Sequence, residues 1–340
     1  MTSADPAVMR VALGLAKRGL GRTGPNPTVG CVILDAQRRV VGQARTADSG
    51  RPHAETLALA QASDRARGGT AVITLEPCAH QGETGPCANA LIEAGIARAV
   101  VATTDPDPRT AGAGIARLRA AGIDVSTSIM ETEARHLNTG FIKRITQGLP
   151  HLSLKLGLSL DGKIALANGV SQWITSPAAR QRGHLLRAQS DVLLTGAKTV
   201  LKDEPRFTVR LPGLSGVADP AVGVVYDSAR SNQEIVGWVR EHRPHWRLLP
   251  GWNFETHLRT LAAEGCNRVL AEAGGGVARA LLAENLVDEI VVFRAGVVLG
   301  GDARNGIGLF GYTKLEQALR FERVDVLGVG EDVMEVWRRA

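Results

Sequence analysis

Apolar and polar positions along this chain follow two alternating periods. From Asp5 to about Gly148, short apolar runs rich in β-branched residues alternate with stretches in which apolar residues recur every three or four positions, the respective patterns of strands and amphipathic helices. Residues 29–34 and 39–44 read as paired strands, 53–63 as a helix, 70–75 as a strand and 88–94 as a helix after Pro86. A strand at 98–103, a helix at 114–121, a short strand at 124–128 and a helix at 131–147 with Leu137, Phe141 and Ile145 on one face follow. The N-terminal segment reads as part of an amphipathic helix. Gly148-Leu149-Pro150 then punctuates the chain, and a new alternation begins. Strands are expected near 152–158, 191–195, 222–226, 267–272 and 287–294, helices near 177–188, 255–264 and 275–283, and an antiparallel edge from 320–328 and 332–338. The pattern predicts two α/β domains, 1–148 and 149–340, the first a three-layer α/β/α sandwich.

Length agrees, because 340 residues exceed the usual size of one hydrophobic core. With 44% hydrophobic and 22% charged residues, and no apolar run near the roughly 20 residues of a membrane span, the expectation is a soluble protein with no membrane partner. No secretory signal pattern is visible at the N-terminus. The net charge of +6, from 40 Lys and Arg against 34 Asp and Glu, is spread along the chain. Aromatic residues are only 4%, so neither a basic track nor a stacking platform for nucleic acid is present. Of four cysteines, Cys31 and Cys266 lie in apolar surroundings and read as core. No disulfide framework is expected, which suits a reducing, cytoplasmic compartment.

The remaining cysteines carry chemistry. His53-Ala54-Glu55, then Pro77-Cys78 and Pro86-Cys87, supply three zinc ligands, His53, Cys78 and Cys87, and one carboxylate free to act as a base. A structural zinc is closed by four protein ligands, whereas a hydrolytic zinc keeps a position for water with a general base beside it. Residues two apart diverge on a regular helix, so His53 and Glu55 are expected in a first turn after Pro52. Helix N-termini and the metal should hold both thiols deprotonated. A His-x-Glu before a helix, followed by a strand ending in Glu-Pro-Cys and a second Pro-Cys opening a helix, is the order of the zinc nucleobase deaminases. In those enzymes Glu55 would move protons for hydroxide attack on the amino-bearing carbon. Eight residues separate the two cysteines here, in EPCAHQGETGPC, where the widest form of the signature has two.

That longer loop, with GPNPTVGCV at 24–32 and RPHAE at 51–55, resembles the deaminase half of the bifunctional riboflavin-biosynthesis enzymes. These join a diaminohydroxyphosphoribosylaminopyrimidine deaminase to a 5-amino-6-(5-phosphoribosylamino)uracil reductase. In the second half LKLGLSLDGKIA, SQWITS, LLRAQSDVLLTGAKTVLKDEPRFTVR and LVDEIVVF are similar to blocks of the reductase half. The resemblance implies a cytidine-deaminase-like first domain with one zinc, and a dihydrofolate-reductase-like second domain that uses NADPH. It places Asn26 and Asp105 at the pyrimidine. Gly157, Trp173, Thr199, Asp203, Ser228 and the turn Gly274, Gly275, Gly276 would line the NADPH site. Lys155, Ser171, Arg187, Phe207, Arg210 and Glu272 would hold the substrate, the arginines suiting a ribose phosphate. The implied partner is a phosphoribosylated pyrimidine, and a homo-oligomer is expected. The chain departs from the family in having Ala273 where a glycine is usual and Phe207 where a leucine is usual, and in a shortened, less regular stretch at 228–252. Two other classes share parts of the pattern: a deaminase acting on a base in tRNA or single-stranded DNA, and a zinc-containing binding protein. The latter needs a fourth protein ligand, for which His80 is the obvious candidate.

Overall fold

Strands buried on both faces must be apolar at consecutive positions, and the central strands of the N-terminal half show this. The computed structural model describes residues 5–81, 85–214, 216–227 and 232–340. The chain divides into two compact units, Met1–Gly148 and Leu149–Ala340. In the first, the order is α1 (Asp5–Lys17), β1 (Gly30–Leu34), β2 (Val40–Arg45), α2 (Ala54–Ala62), β3 (Thr70–Ile73), α3 (Cys87–Glu93), β4 (Arg98–Val101), α4 (Ala113–Ala120), β5 (Asp124–Ser126), α5 (Glu131–Leu137) and α6 (Thr139–Gln147). The strands form one sheet in the order β2-β1-β3-β4-β5. β1 runs antiparallel to β2 and β3, and β3, β4 and β5 are parallel.

Every residue of β1 and β3 is buried. Cys31 and Ile33 pack with Ala58 of α2, Leu91 of α3 and Leu118 of α4. The alternate residues Val32 and Leu34 pack with Met9 and Ala12 of α1 and Ala134 of α5. Period-two alternation thus feeds two cores, and the unit has three layers. α2 crosses β2 so closely that a Cβ on Gly42 would lie 2.1 Å from the Ala58 carbonyl oxygen, which explains the glycine there. The helix expected over 131–147 is broken at Asn138. The side chain of this buried residue donates to the Thr28 carbonyl and accepts from the Thr28 amide, both at 3.0 Å, and that long-range pair ends α5.

The second unit contains β6 (His151–Leu158), β7 (Lys163–Ala165), α7 (Pro177–Ala188), β8 (Val192–Gly196), α8 (Ala197–Asp203), β9 (Ala221–Tyr226), α9 (Asn232–His242), β10 (Arg247–Pro250) and α10 (Phe254–Ala263). β11 (Arg268–Ala271), α11 (Gly275–Ala283), β12 (Glu289–Arg294), β13 (Arg304–Asn305), β14 (Phe321–Val329) and β15 (Asp332–Arg339) complete it. Eight strands form a sheet in the order β10-β9-β8-β11-β6-β12-β15-β14. The first six are parallel, and β15 and β14 close the far side as an antiparallel edge. α7 starts where the sequence signals it, with Pro177 at its first position and Ser176 Oγ accepting from the Ala179 amide at 3.3 Å. The described part of the 228–252 stretch is regular after all: α9 and β10 add a helix and a parallel edge strand.

Candidate functional site

In the first unit the site forms where β3 and β4 end, the carboxyl side at which ligands meet parallel sheets. His53 lies one residue earlier than expected, as the N-cap of α2 with extended φ −68° and ψ 158°. Glu55 is in the first turn. An N-cap residue lies outside helical φ/ψ, which lets side chains two apart face one point. Cys78 follows the end of β3, and Cys87 is the first residue of α3 after Pro86. His53 Nδ1 is 3.7 Å from Cys78 Sγ and 3.3 Å from Cys87 Sγ, and the three ligand atoms lie within 4.8 Å of one another. Tetrahedral zinc with its usual bond lengths separates N and S ligands by about 3.5 Å and two S ligands by about 3.8 Å. The donor set and its spacing therefore fit zinc, with one ligand position left for water.

The Cys87 amide donates to Cys78 Sγ at 3.3 Å. Cys78 is drawn down to about 4, first by its hydrogen bond with the Cys87 thiol and then, against burial, by His53 and that amide. Cys87 is pushed up, as donor to Cys78 and by burial beside Glu55. Glu55 is 3% exposed and stands outside the three-residue cluster. Burial raises its carboxyl to about 7, with His53 opposing and the Cys78 charge adding. A carboxyl poised there can both take and return a proton near neutrality.

Asp105 is also buried, and its carboxyl rises to about 6, first through burial, then through Asp107, Glu76 and Cys78. Asn26 donates to the Gly50 carbonyl at 3.0 Å, three residues before His53. His80, the candidate fourth ligand, is not in the cluster, and its Nδ1 is 3.3 Å from Thr110 Oγ1. Sequence reasoning passed over Glu76, whose carboxylate takes three backbone hydrogen bonds from the segment carrying Asp105. The Glu-Pro-Cys triplet was visible, but the partners lie 29 to 39 residues away.

In the second unit the structure draws Lys155, Arg187, Phe207 and Glu272 together. Glu272 accepts from Arg187 Nε at 2.6 Å and Nη2 at 2.9 Å, with Lys155 Nζ at 3.9 Å. Arg187 also donates to the Thr208 carbonyl at 3.3 Å and lies 5.5 Å from the centre of the Phe207 ring. Phe207, at φ 50°, is buried against Trp246. Its side chain is a core contact that also lines a cavity of about 300 Å³ beside Arg206, Asp219, Arg243 and His245. Arg210 is exposed, with Nη1 bonded to Thr208 Oγ1 at 2.7 Å. Ser171 is half-buried, and Trp173 is exposed under the Arg180 guanidinium at 4.5 Å. Gly157 is on β6, and Asp203 is exposed at the end of α8. Ser228 lies outside the described residues.

Gly274, three residues beyond the end of β11, is the N-cap of α11 and gives it no side-chain cap; a Cβ there would sit 4.0 Å from Thr199 Oγ1. Gly275 and Gly276 open the helix, so its first amides face this turn. On β8, Thr195 Oγ1 is buried with no hydrogen-bond partner, a polar group of the kind a ligand satisfies. The uncapped amides of α11, with the Thr199 hydroxyl near the turn, suit a phosphorylated cofactor.

Fold and site together define a zinc-type deaminase unit followed by a mixed-sheet α/β unit with a cofactor-type turn. Residues 2–103 match the cytidine and deoxycytidylate deaminase zinc-binding region, and residues 150–334 match the RibD C-terminal domain. The chain is 42% identical to the riboflavin biosynthesis protein RibD of Escherichia coli, over 97% of this chain and 98% of that protein. It is 38% identical to that of Aquifex aeolicus, over 98% of each. RibD of Acinetobacter baumannii superposes with a TM-score of 0.88 at 37% identity, covering 99% of both chains. The Thermotoga maritima diaminohydroxyphosphoribosylaminopyrimidine deaminase/5-amino-6-(5-phosphoribosylamino)uracil reductase does so at 0.86 and 32%, again over 99% of both. The chain belongs to the RibD family, the bifunctional deaminase-reductases of riboflavin biosynthesis. Its first unit carries the deaminase zinc-binding region and its second the RibD C-terminal domain of that family. Among the described residues no helix is long and apolar enough to cross a membrane.

Proposed function

We propose that residues 1–148 deaminate 2,5-diamino-6-(5-phosphoribosylamino)pyrimidin-4-one and that residues 149–340 reduce the product's ribosyl group to ribityl with NADPH. The observation that carries this reading is the cluster of His53, Cys78 and Cys87 with buried Glu55 beside it but outside it. His53, Cys78 and Cys87 would hold the zinc, whose Lewis acidity makes water a nucleophile near neutral pH. Glu55 would take the proton of that water and return protons to the ring nitrogen and the departing amino group. Asn26 and Asp105 would orient the pyrimidine.

NADPH would supply the hydride in the second unit. Gly157, Trp173, Thr199, Asp203 and Gly274 to Gly276 would bind it, with Ser228 also assigned by resemblance. Ser171 and the cluster of Lys155, Arg187 and Glu272 would hold the substrate from one side, with Phe207 as its floor. Exposed Arg210 would meet the phosphate. The partner is then a small phosphoribosylated pyrimidine and not a nucleic acid, and the setting is a cytoplasmic homo-oligomer. The test is to incubate the zinc-loaded chain with this diaminopyrimidine, with and without NADPH, and follow ammonia release and NADPH oxidation separately. Ammonia without NADPH and oxidation only after deamination are expected. No ammonia from the zinc-loaded chain would remove the reading.

A further inference from the structure

We propose that Glu76 is a positioning residue for deamination, holding the Asp105 segment in register with the zinc ligands; this rests on the deaminase reading above. Glu76 is 3% exposed and stands two residues before Cys78. Its amide donates to the Thr103 carbonyl at 2.9 Å, fixing its backbone to the continuation of β4. Its carboxylate accepts three amides from the next segment. Oε2 takes Asp105 N at 3.1 Å and Gly112 N at 2.9 Å, and Oε1 takes Ile115 N at 3.0 Å. Ile115 is in the first turn of α4, whose N-cap Gly112 has no side-chain cap. Glu76 supplies the cap from a neighbouring element, where a carboxylate suits the free amides.

The packing leaves little slack. A Cβ on Gly114 would lie 2.0 Å from the Pro77 carbonyl oxygen and 3.2 Å from Glu76 Cγ. One side chain thus clasps the strand end bearing Cys78 to the segment bearing Asp105. Asp105 Oδ1 accepts from the Asp107 amide at 2.9 Å, so the direction of its carboxylate follows the backbone that Glu76 holds. Glutamine in place of Glu76 would offer one acceptor oxygen and set an NH₂ against backbone amides, so at least one of the three bonds is lost and the segment can shift.

The test uses the full-length zinc-loaded chain as wild type, Glu76→Gln, Asp105→Ala and the double variant. Zinc per chain and deamination kcat and KM with the phosphoribosylated diaminopyrimidine are measured, with reductase activity as a check on folding. Glu76→Gln should keep its zinc and raise KM ~10-fold, or ~1.4 kcal/mol, with kcat largely retained. Asp105→Ala should shift KM in the same direction. The double variant should be no worse than Asp105→Ala, because one residue acts through the other. Effects that multiply, an unchanged KM or loss of zinc in Glu76→Gln would each overturn the proposal. Should Glu76→Gln not fold, hydrogen exchange on the wild type decides. Slow exchange at the Asp105, Gly112 and Ile115 amides supports the clasp, and exchange as fast as in open loops overturns it. A wild type that does not deaminate would instead sink the functional reading itself.

Discussion

Replacing Glu272 by alanine should destabilise the second unit by roughly 3 kcal/mol, a figure that follows from what the residue holds. Its carboxylate takes two hydrogen bonds from Arg187, at 2.6 and 2.9 Å, and has Lys155 at 3.9 Å. The side chains of Arg187 and Glu272 are only 17% and 11% exposed. Removing one partner of a buried pair typically costs about 3–5 kcal/mol, because the other charge is stranded. The residual water contact argues for the lower end. For a unit of this size each kcal/mol moves Tm by about 2–4 °C, so thermal unfolding of Glu272→Ala should shift down by ~6–12 °C. The double change Arg187→Met with Glu272→Leu should recover most of that loss, since it removes both charges. Burial alone would raise the Glu272 carboxyl, but the Arg187 hydrogen bonds and then Lys155 bring it below its ordinary value. A depressed carboxyl contributes stability above its unfolded pKa of about 4.3, and that contribution is lost as pH falls through the folded value. The deficit of Glu272→Gln against wild type should therefore shrink as the pH drops below about 4. A Glu272→Ala protein within 1 kcal/mol of wild type at pH 7, or a double variant no better than the single, would refute this account of the pair.

Glu55→Gln should keep about one zinc per chain by elemental analysis and lose about 10²–10⁴-fold in deamination, while Cys78→Ser and Cys87→Ser should lose metal and activity together. A fragment ending at Gly148 should deaminate without NADPH, as ammonia release would show. Arg210→Ala should raise the KM of reduction and spare deamination, because its exposed guanidinium, bonded to Thr208 Oγ1, makes no ion pair among the described residues.

The zinc ligands were legible because each sits beside a local signal: proline before His53, Cys78 and Cys87, and a helix or strand end next to it. What escaped was set by distant partners. The 131–147 stretch has helical periodicity throughout, and only the bond of Asn138 to Thr28, 110 residues away, breaks it. Arg187 and Glu272 were read as two substrate groups, yet they pair across 85 residues, which no spacing rule reveals. Phe207 was assigned to the substrate by resemblance, and the sequence did not show that its ring, carried on a left-handed backbone position, also packs on Trp246. The 228–252 stretch looked irregular because its turn residues hid α9 and β10, both of which depend on packing against β9 and the core around Ile235 and Val239.

The central claim is that one chain carries two separable reactions, and chelation tests it most directly. The full-length protein, stripped of zinc, is given either the diaminopyrimidine or its deaminated product, with NADPH present. The account predicts no ammonia from the first and undiminished NADPH oxidation with the second, with zinc alone restoring ammonia release. Ammonia release without zinc, or no NADPH oxidation with the deaminated product even in the zinc-loaded chain, would contradict it.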